Sequence, residues 1–168
     1  MTQQLSVADL LVRCLEQEGV TVVFGIPGEE NIGLVDTLAR SPIRYVLVRH
    51  EQAASFMAEI YGRLTGRAGV CSATLGPGAI NLLLGVADAT TNSSPVVAVS
   101  AQVGLNRIYK ESHRSVDLVA MFALNLNIPG RMSRRRRRSS GPRRCWTVPG
   151  SRSCWLATGP PGPALRAP

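Results

Sequence analysis

The strongest constraint on the fold of this chain is a regular alternation of short apolar runs with segments of helical periodicity. The runs "VTVVFG", "IRYVLV", "AGVCSAT" and "PVVAVSA" are predicted strands, and helical patterns stand between them. Strands that are apolar throughout and separated by helices are typical of a parallel sheet with helices on both faces. The predicted fold class is therefore α/β.

The predicted helices have recognisable ends or a clear face. The segment "SVADLLVRCLEQEG" has Ser6 as a predicted N-cap and Gly19 as a stop signal. Later helices are predicted after "IPGEEN", in "EQAASFMAEIYGRLTG", in "AINLLLGVADATT" and near residues 115–122. In the third predicted helix the large apolar side chains share one side: Phe56, Met57, Ile60, Tyr61 and Leu64.

Four short segments follow the predicted strands, and right-handed crossovers would bring all of them to one edge of the sheet. They are "GIPG", "RHE", "TLGPG" and "AQ", and ligands of open α/β sheets bind at that edge. Glu51, which ends "RHE", is therefore predicted where a ligand lies. Taken alone, Glu51 is also explained as a solvated first-turn residue favoured by the helix dipole. Likewise "GIPG" can be an ordinary turn, and "GPGAIN" an anion-binding helix start or a tight turn.

The positive charge of the chain, +8 in total, belongs to its last part. Residues 1–130 hold nine Lys and Arg against eleven Asp and Glu, whereas residues 131–168 hold ten Arg and no acidic residue. We predict one domain over residues 1–125 and a basic, disordered tail over residues 126–168, because the tail has no helical or strand period. Our hypothesis is that the tail is translated out of frame. The alternative is a nucleic-acid-binding tail centred on Arg134–Arg138.

Several classes of protein are not indicated by the sequence. The first residues lack a secretory signal pattern, and no run reaches about 18 apolar residues, so we expect a cytoplasmic protein without a membrane span. The four cysteines form no C-x-x-C pair, so neither zinc nor a redox pair is predicted. Neither a G-x-S-x-G elbow nor a P-loop occurs.

Five blocks in this order carry a family resemblance. The segments "GVTVVFGIPGEEN", "RHEQAASFMAEIYGRLTG", "AGVCSATLGPGAINLLLGVADATT", "SSPVVAVSAQV" and "KESHRSVDLVAMF" resemble the N-terminal, pyrimidine-binding domain of thiamine-diphosphate enzymes. The similarity is greatest to the catalytic subunits of acetolactate synthases, and it covers the range from Leu5 to Phe122.

The resemblance implies a role for individual residues. Glu51 matches the catalytic carboxylate that hydrogen-bonds N1′ of the cofactor's aminopyrimidine and controls the proton that activates the thiazolium ring. Two positions would lie near the substrate, Gly25 and His113, although the family has Gln where Arg114 follows His113 here. The other positions that match cofactor-binding blocks are Pro27, Gly28, Thr74, Pro77, Gly78, Asn81 and Gln102.

The resemblance also implies what the parent enzyme does. It would decarboxylate pyruvate and join the remainder to a second 2-keto acid, in branched-chain amino acid biosynthesis, as a homodimer or larger oligomer. Mg²⁺ and the diphosphate would be held by a G-D-G domain, and FAD in some members by a central domain. No G-D-G occurs here, so we expect only the pyrimidine half of the site, no metal site and no activity alone. The alternatives are a non-catalytic module that pairs with a full-length relative, and a nucleic-acid binder, which we disfavour.

Overall fold

The computed structural model describes residues 5–103, 116–126, 145–147 and 153–158. His113 and Arg134–Arg138 lie outside the described residues, so the predictions made for them stay predictions.

Four parallel strands form the body of the sheet. They are β1 (Val22–Gly25), β2 (Arg44–Leu47), β3 (Gly69–Ala73) and β4 (Val96–Ala101), in the spatial order β2-β1-β3-β4. The predicted parallel sheet is confirmed. β1 lies between β2 and β3, so the connection from β2 to β3 passes over β1. A crossover connection is needed because the two strands run in the same direction.

In the described part of the chain, five α-helices cover the two faces of this sheet. They are α1 (Val7–Gln17), α2 (Ile32–Ala39), α3 (Glu51–Thr65), α4 (Pro77–Asn92) and α5 (Leu118–Leu126). The first two pack on one face and the last three on the other, which makes two separate apolar clusters. No helix in the described part of the chain is long and apolar enough to cross a membrane.

Neighbouring residues of a strand contribute their side chains alternately to the two apolar clusters. In β3, Val70 points to the side of α1 and α2, whereas Cys71 points to the side of α3, α4 and α5. Both side chains are fully buried. This two-sided burial explains why the strands are apolar throughout rather than alternating with polar residues.

The first helix begins as the sequence predicts. The Ser6 hydroxyl accepts a hydrogen bond from the Asp9 backbone N–H at 3.1 Å, and the Asp9 carboxylate accepts one from the Ser6 backbone N–H at 3.0 Å. Ser6 is thus the N-cap of a reciprocal capping box. The Ser6 hydroxyl also donates to the Asp9 carboxylate at 2.6 Å, and this bond, followed by the bond from the Ser6 backbone N–H, lowers the pKa of Asp9. The contribution of these two bonds to stability is present at neutral pH and is lost as the pH falls through that lowered value.

The buried face of α3 is its small-residue face, not the side that carries its large apolar residues. Its buried residues are Ala54, Ser55, Ala58, Glu59 and Gly62. In contrast, Leu64 is 82% exposed, and Met57 and Ile60 are each 46% exposed. Small side chains are needed because α3 approaches its neighbours at backbone distance. A β-carbon on Gly69 would strike the backbone of Ala58, and one on Gly62 would strike the carbonyl of Pro95.

The second half of α3 carries a buried carboxylate, that of Glu59. Glu59 is 0% exposed, and its Oε1 accepts a hydrogen bond from the Ser94 hydroxyl at 2.7 Å. Arg63 Nη1 lies 3.6 Å from the same oxygen. Among the described residues, Oε2 of Glu59 has no hydrogen-bond partner. Ser94 follows α4, so this contact ties α3 to the end of α4.

The tail contributes two short strands that the sequence did not predict. They are β5 (Cys145–Thr147) and β6 (Ser153–Thr158), and β6 pairs antiparallel with β4. Without β6 the outer edge of β4 would leave backbone groups unpaired. β6 lies between β4 and β5, and the Trp and Thr of "SCWLAT" suit a strand. The hypothesis that the tail is out of frame stays a prediction.

Removing the Ser94 hydroxyl, which donates a hydrogen bond to Glu59, should destabilise the fold. Ser94→Ala leaves a fully buried carboxylate with Arg63 as its one polar partner among the described residues, and we expect a loss of about 1–3 kcal/mol in the free energy of unfolding. Thr65→Ala is the control, because the Thr65 hydroxyl bonds the Tyr61 carbonyl at an exposed site. Urea unfolding would measure both, and equal losses would contradict a special role for Ser94.

The thiols Cys14 and Cys71 should differ sharply in reactivity. Burial raises the pKa of Cys71 to about 12, whereas Cys14 is exposed. At about pH 8.5, where an ordinary thiol is half ionised, iodoacetamide should label Cys14 and spare Cys71 until the chain is unfolded. Peptide mapping by mass spectrometry would read each site, and rapid labelling of Cys71 in the folded chain would contradict the buried position of β3.

Candidate functional site

The candidate site lies at the carboxyl ends of β1 and β3. The chain leaves β1 toward β2 on one side, and β3 lies on the other, so the order of strands reverses at this point. Such a switch point opens a crevice in which α/β sheets bind their ligands. The turns after the two strands touch here, because a β-carbon on Gly28 would strike the methyl group of Thr74.

The turn after β1 is held by a side chain that the sequence analysis missed. Asn31 Oδ1 accepts a hydrogen bond from the Gly28 backbone N–H at 2.7 Å, and its Nδ2 donates one to the Ile26 carbonyl at 3.1 Å. Asn31 is 5% exposed. It therefore fixes Pro27 and Gly28 at the crevice. An Asn just after a Pro-Gly turn was the available signal, since Asn side chains often satisfy nearby turn backbone.

Glu51 is the first residue of α3. His50 precedes it with an extended backbone, and its Nδ1 accepts a hydrogen bond from the Gln52 backbone N–H at 3.2 Å, which starts the helix without a Gly or Pro. The Glu51 side chain is half-buried, and Asn81 Nδ2 donates a hydrogen bond to its Oε2 at 2.9 Å. The Glu51 carboxylate is thus held by a hydrogen bond and partly buried, rather than freely solvated.

The segment between β3 and α4 borders the crevice. Gly76 has a φ of +59°, which a residue with a side chain rarely adopts, and Pro77 then begins α4. A β-carbon on Gly78 would lie 2.8 Å from Thr74 Oγ1 and 3.2 Å from Glu51 Oε1. A side chain at position 78 would therefore crowd both Thr74 and the carboxylate, so the glycine is what lets the start of α4 pack against Glu51.

Two other predicted residues have packing contacts in the structure. A β-carbon on Gly25 would lie 2.5 Å from both the Ser72 carbonyl oxygen and the Tyr45 hydroxyl, so Gly25 lies in a tightly packed part of the sheet. The Gln102 amide donates to the Val116 carbonyl and accepts from the Val103 backbone N–H, both at 3.0 Å. Gln102 therefore holds both ends of the segment that contains His113. The substrate role of Gly25 and the cofactor role of Gln102 stay predictions.

Electrostatically, the site is simple. In the ranges that the structure describes, no three His, Cys, Asp or Glu side chains converge as metal ligands. Below the crevice, burial raises the pKa of Tyr45, and the hydrogen bond with Ser72 opposes that shift. Tyr45 is thus a neutral packing partner at neutral pH, and Glu51 is the carboxylate at the crevice.

Comparison with known proteins gives the same domain. Residues 5–121 match the family model described as "Thiamine pyrophosphate enzyme, N-terminal TPP binding domain". An acetolactate synthase of Mycobacterium bovis is 48% identical over 117 residues, which are 69% of this chain and 19% of that protein. The catabolic acetolactate synthase of Raoultella terrigena is 48% identical over 116 residues, 69% of this chain and 21% of that protein.

The similarity extends to other bacteria at nearly the same level. The acetolactate synthase of Bacillus subtilis is 45% identical over 115 residues, which cover 68% of this chain and 20% of that protein. The chain thus spans about one fifth of the length of the curated relatives that it matches. The matched region includes the four parallel strands and every described residue of the crevice.

The packing at Gly25 allows a direct test. Gly25→Ala forces a methyl group into Ser72 and Tyr45, and we expect a loss of about 1–3 kcal/mol in the free energy of unfolding, as for other overpacked cores. Gly33→Ala is the matched control, because nothing lies within 4 Å of its added carbon and α2 gains helix propensity. Thermal unfolding would measure both, and an unaffected Gly25→Ala variant would contradict the packing role.

Proposed function

Because the chain belongs to the thiamine pyrophosphate enzymes, with residues 5–121 as their N-terminal binding domain, we propose that Glu51 binds the aminopyrimidine of thiamine diphosphate. The observation that carries the proposal is a half-buried carboxylate at the switch point of the sheet, with one of its oxygens held by the protein. Asn81 donates a hydrogen bond to Oε2 of Glu51, and no described residue donates one to Oε1. A ring nitrogen beside Oε1 would share a proton with it.

The bound cofactor supplies the carbon centre and the electron sink for 2-keto acid chemistry, and the chain supplies placement and proton control. The half-buried Glu51 carboxylate would take or return a proton at the ring nitrogen. Gly28 and Gly78 both pack against Thr74, which keeps the turns after β1 and β3 together at the crevice. Pro27 and Gln102 border the same crevice from the ends of β1 and β4.

For the parent enzyme we propose the chemistry of acetolactate synthases. Pyruvate and a second 2-keto acid are the proposed substrates, Mg²⁺ and in some forms FAD the further cofactors, and the cytoplasm the proposed location. The diphosphate and Mg²⁺ would be held by charge-assisted bonds from another domain, and the chain spans about one fifth of its relatives. Residues 1–168 alone should therefore bind the cofactor weakly and not turn over.

Association is the second part of the proposal. The outer faces of α3 and α4 expose several large apolar side chains, which a partner would bury. We propose that the parent assembles as a homodimer or larger oligomer, and that the alternative role of this chain is a non-catalytic module paired with a full-length relative. The exposed residues on these two helices are Met57, Ile60, Leu64, Ile80 and Leu84.

The proposed contact can be tested on a fragment of the cofactor. Titrating the full chain with 4-amino-2-methylpyrimidine at millimolar concentration should shift backbone amide signals near Glu51 and Gly78 in ¹H–¹⁵N NMR spectra. Glu51→Gln should weaken binding at least about tenfold, because an amide cannot share a proton with the ring nitrogen and the charge-assisted hydrogen bond is lost. Glu16→Gln, the same chemical change in α1 on the opposite face of the sheet, should leave the affinity unchanged.

Two results would contradict the proposal. One is wild-type chain that shows no site-specific shifts at any fragment concentration, and the other is equal affinity of wild type and Glu51→Gln. The claim that the chain does not turn over has its own test, since a measured rate of carbon dioxide release from pyruvate by the purified chain with thiamine diphosphate and Mg²⁺ would refute it.

A further inference from the structure

The two oxygens of the Glu51 carboxylate have different surroundings. Oε2 accepts a hydrogen bond from Asn81 Nδ2 at 2.9 Å. Oε1 faces Gly78, and a β-carbon there would lie 3.2 Å away. Among the described residues, Oε1 has no hydrogen-bond donor. The protein therefore holds one carboxylate oxygen by a hydrogen bond and offers the other no donor from the described residues.

We propose that Asn81 is a positioning residue, which holds Oε2 of Glu51 so that Oε1 is the oxygen presented to the ligand. The inference rests on the proposed function and adds to it, because it assigns Asn81 to the carboxylate rather than to the ligand. Asn81 suits this role chemically. Its amide donates a hydrogen bond but does not exchange a proton, so it orients the carboxylate without competing for the proton that Glu51 handles.

The helix pair fixes this contact through its backbone. Glu51 faces Asn81, and one helical turn further along, Ser55 of α3 faces Gly85 of α4. A β-carbon on Gly85 would strike the Ser55 hydroxyl, so the two helices approach as closely as glycine allows. The short Asn81 side chain reaches Glu51 because of this close approach.

Helical spacing also places the two α4 contacts of the carboxylate together. Gly78 and Asn81 are three residues apart on α4, so they lie on the same side of the helix. Gly78 lies against Oε1 and has no side chain, and Asn81 donates the hydrogen bond to Oε2. A single turn of α4 therefore determines which carboxylate oxygen is hydrogen-bonded.

The first arm of the test uses the chain without ligand. Urea unfolding of Glu51→Ala, Asn81→Ala and the double variant forms a cycle, and we expect the double variant to lose less stability than the two single losses together. The control cycle is Asp88→Ala with Asn92→Ala, since Asn92 Nδ2 makes the same kind of bond, at 3.0 Å, in an exposed part of the same helix. Additive losses in the Glu51–Asn81 cycle would overturn the inference.

The second arm uses 4-amino-2-methylpyrimidine with the full chain. Asn81→Ala should weaken binding about tenfold, as expected for loss of one hydrogen bond to a charged group. Asn92→Ala should bind as wild type does. Ser94→Ala should also bind the fragment as wild type does. This variant loosens the opposite end of the same helix pair, so it controls for a general loss of stability. Equal affinity of wild type and Asn81→Ala would overturn the inference.

A third comparison separates positioning from direct contact. If Asn81 acts through Glu51, the Glu51→Gln variant and the Glu51→Gln/Asn81→Ala double variant bind the fragment equally. A further tenfold loss in the double variant would assign Asn81 to the ligand itself and overturn the inference. If wild type binds no aminopyrimidine, the proposed function fails, and the unfolding cycle still decides whether Asn81 holds Glu51.

Discussion

The whole site depends on the close approach of α3 to its neighbours. Gly85 lets α4 reach the Ser55 hydroxyl, Gly62 lets the helix reach the backbone of Pro95, and Gly69 lets β3 reach Ala58. Because these contacts involve backbone atoms, they leave little freedom for α3 to slide. The position of Glu51 at the start of the helix is therefore set by packing along its length rather than by the loop that precedes it.

The sequence was sufficient for the four-stranded parallel body of the sheet and its covering helices. Apolar runs separated by helical patterns allowed few arrangements other than a parallel sheet, and the carboxyl ends of its strands then met at one edge. Family resemblance was needed to favour a catalytic role for Glu51, because an isolated carboxylate at a helix start is equally compatible with simple solvation. The contact with Asn81 depends on the distance between two helices, which no local pattern specifies.

Other details could not be predicted, for physical reasons that differ from case to case. Periodicity places large apolar residues such as Leu64 on one side of α3 but cannot show that this side is exposed, because burial depends on what packs nearby. Gly25 resembles a turn glycine in sequence, whereas its need for a small side chain comes from Ser72 on the neighbouring strand. The pairing of β6 with β4 depends on a free sheet edge, which is a property of the folded domain.

Glu51 and Glu59 show how one helix gives two carboxylates different roles. They are eight residues apart on the same side of α3, and each has one oxygen held by a donor from α4 or from the residues just after it. Glu59 is sealed on all sides, with Arg63 as its charged partner, so it can contribute only to structure. Glu51 is only half-buried, it lies at the switch point of the sheet, and no described residue donates to its second oxygen, so this is the carboxylate that we propose binds a ligand.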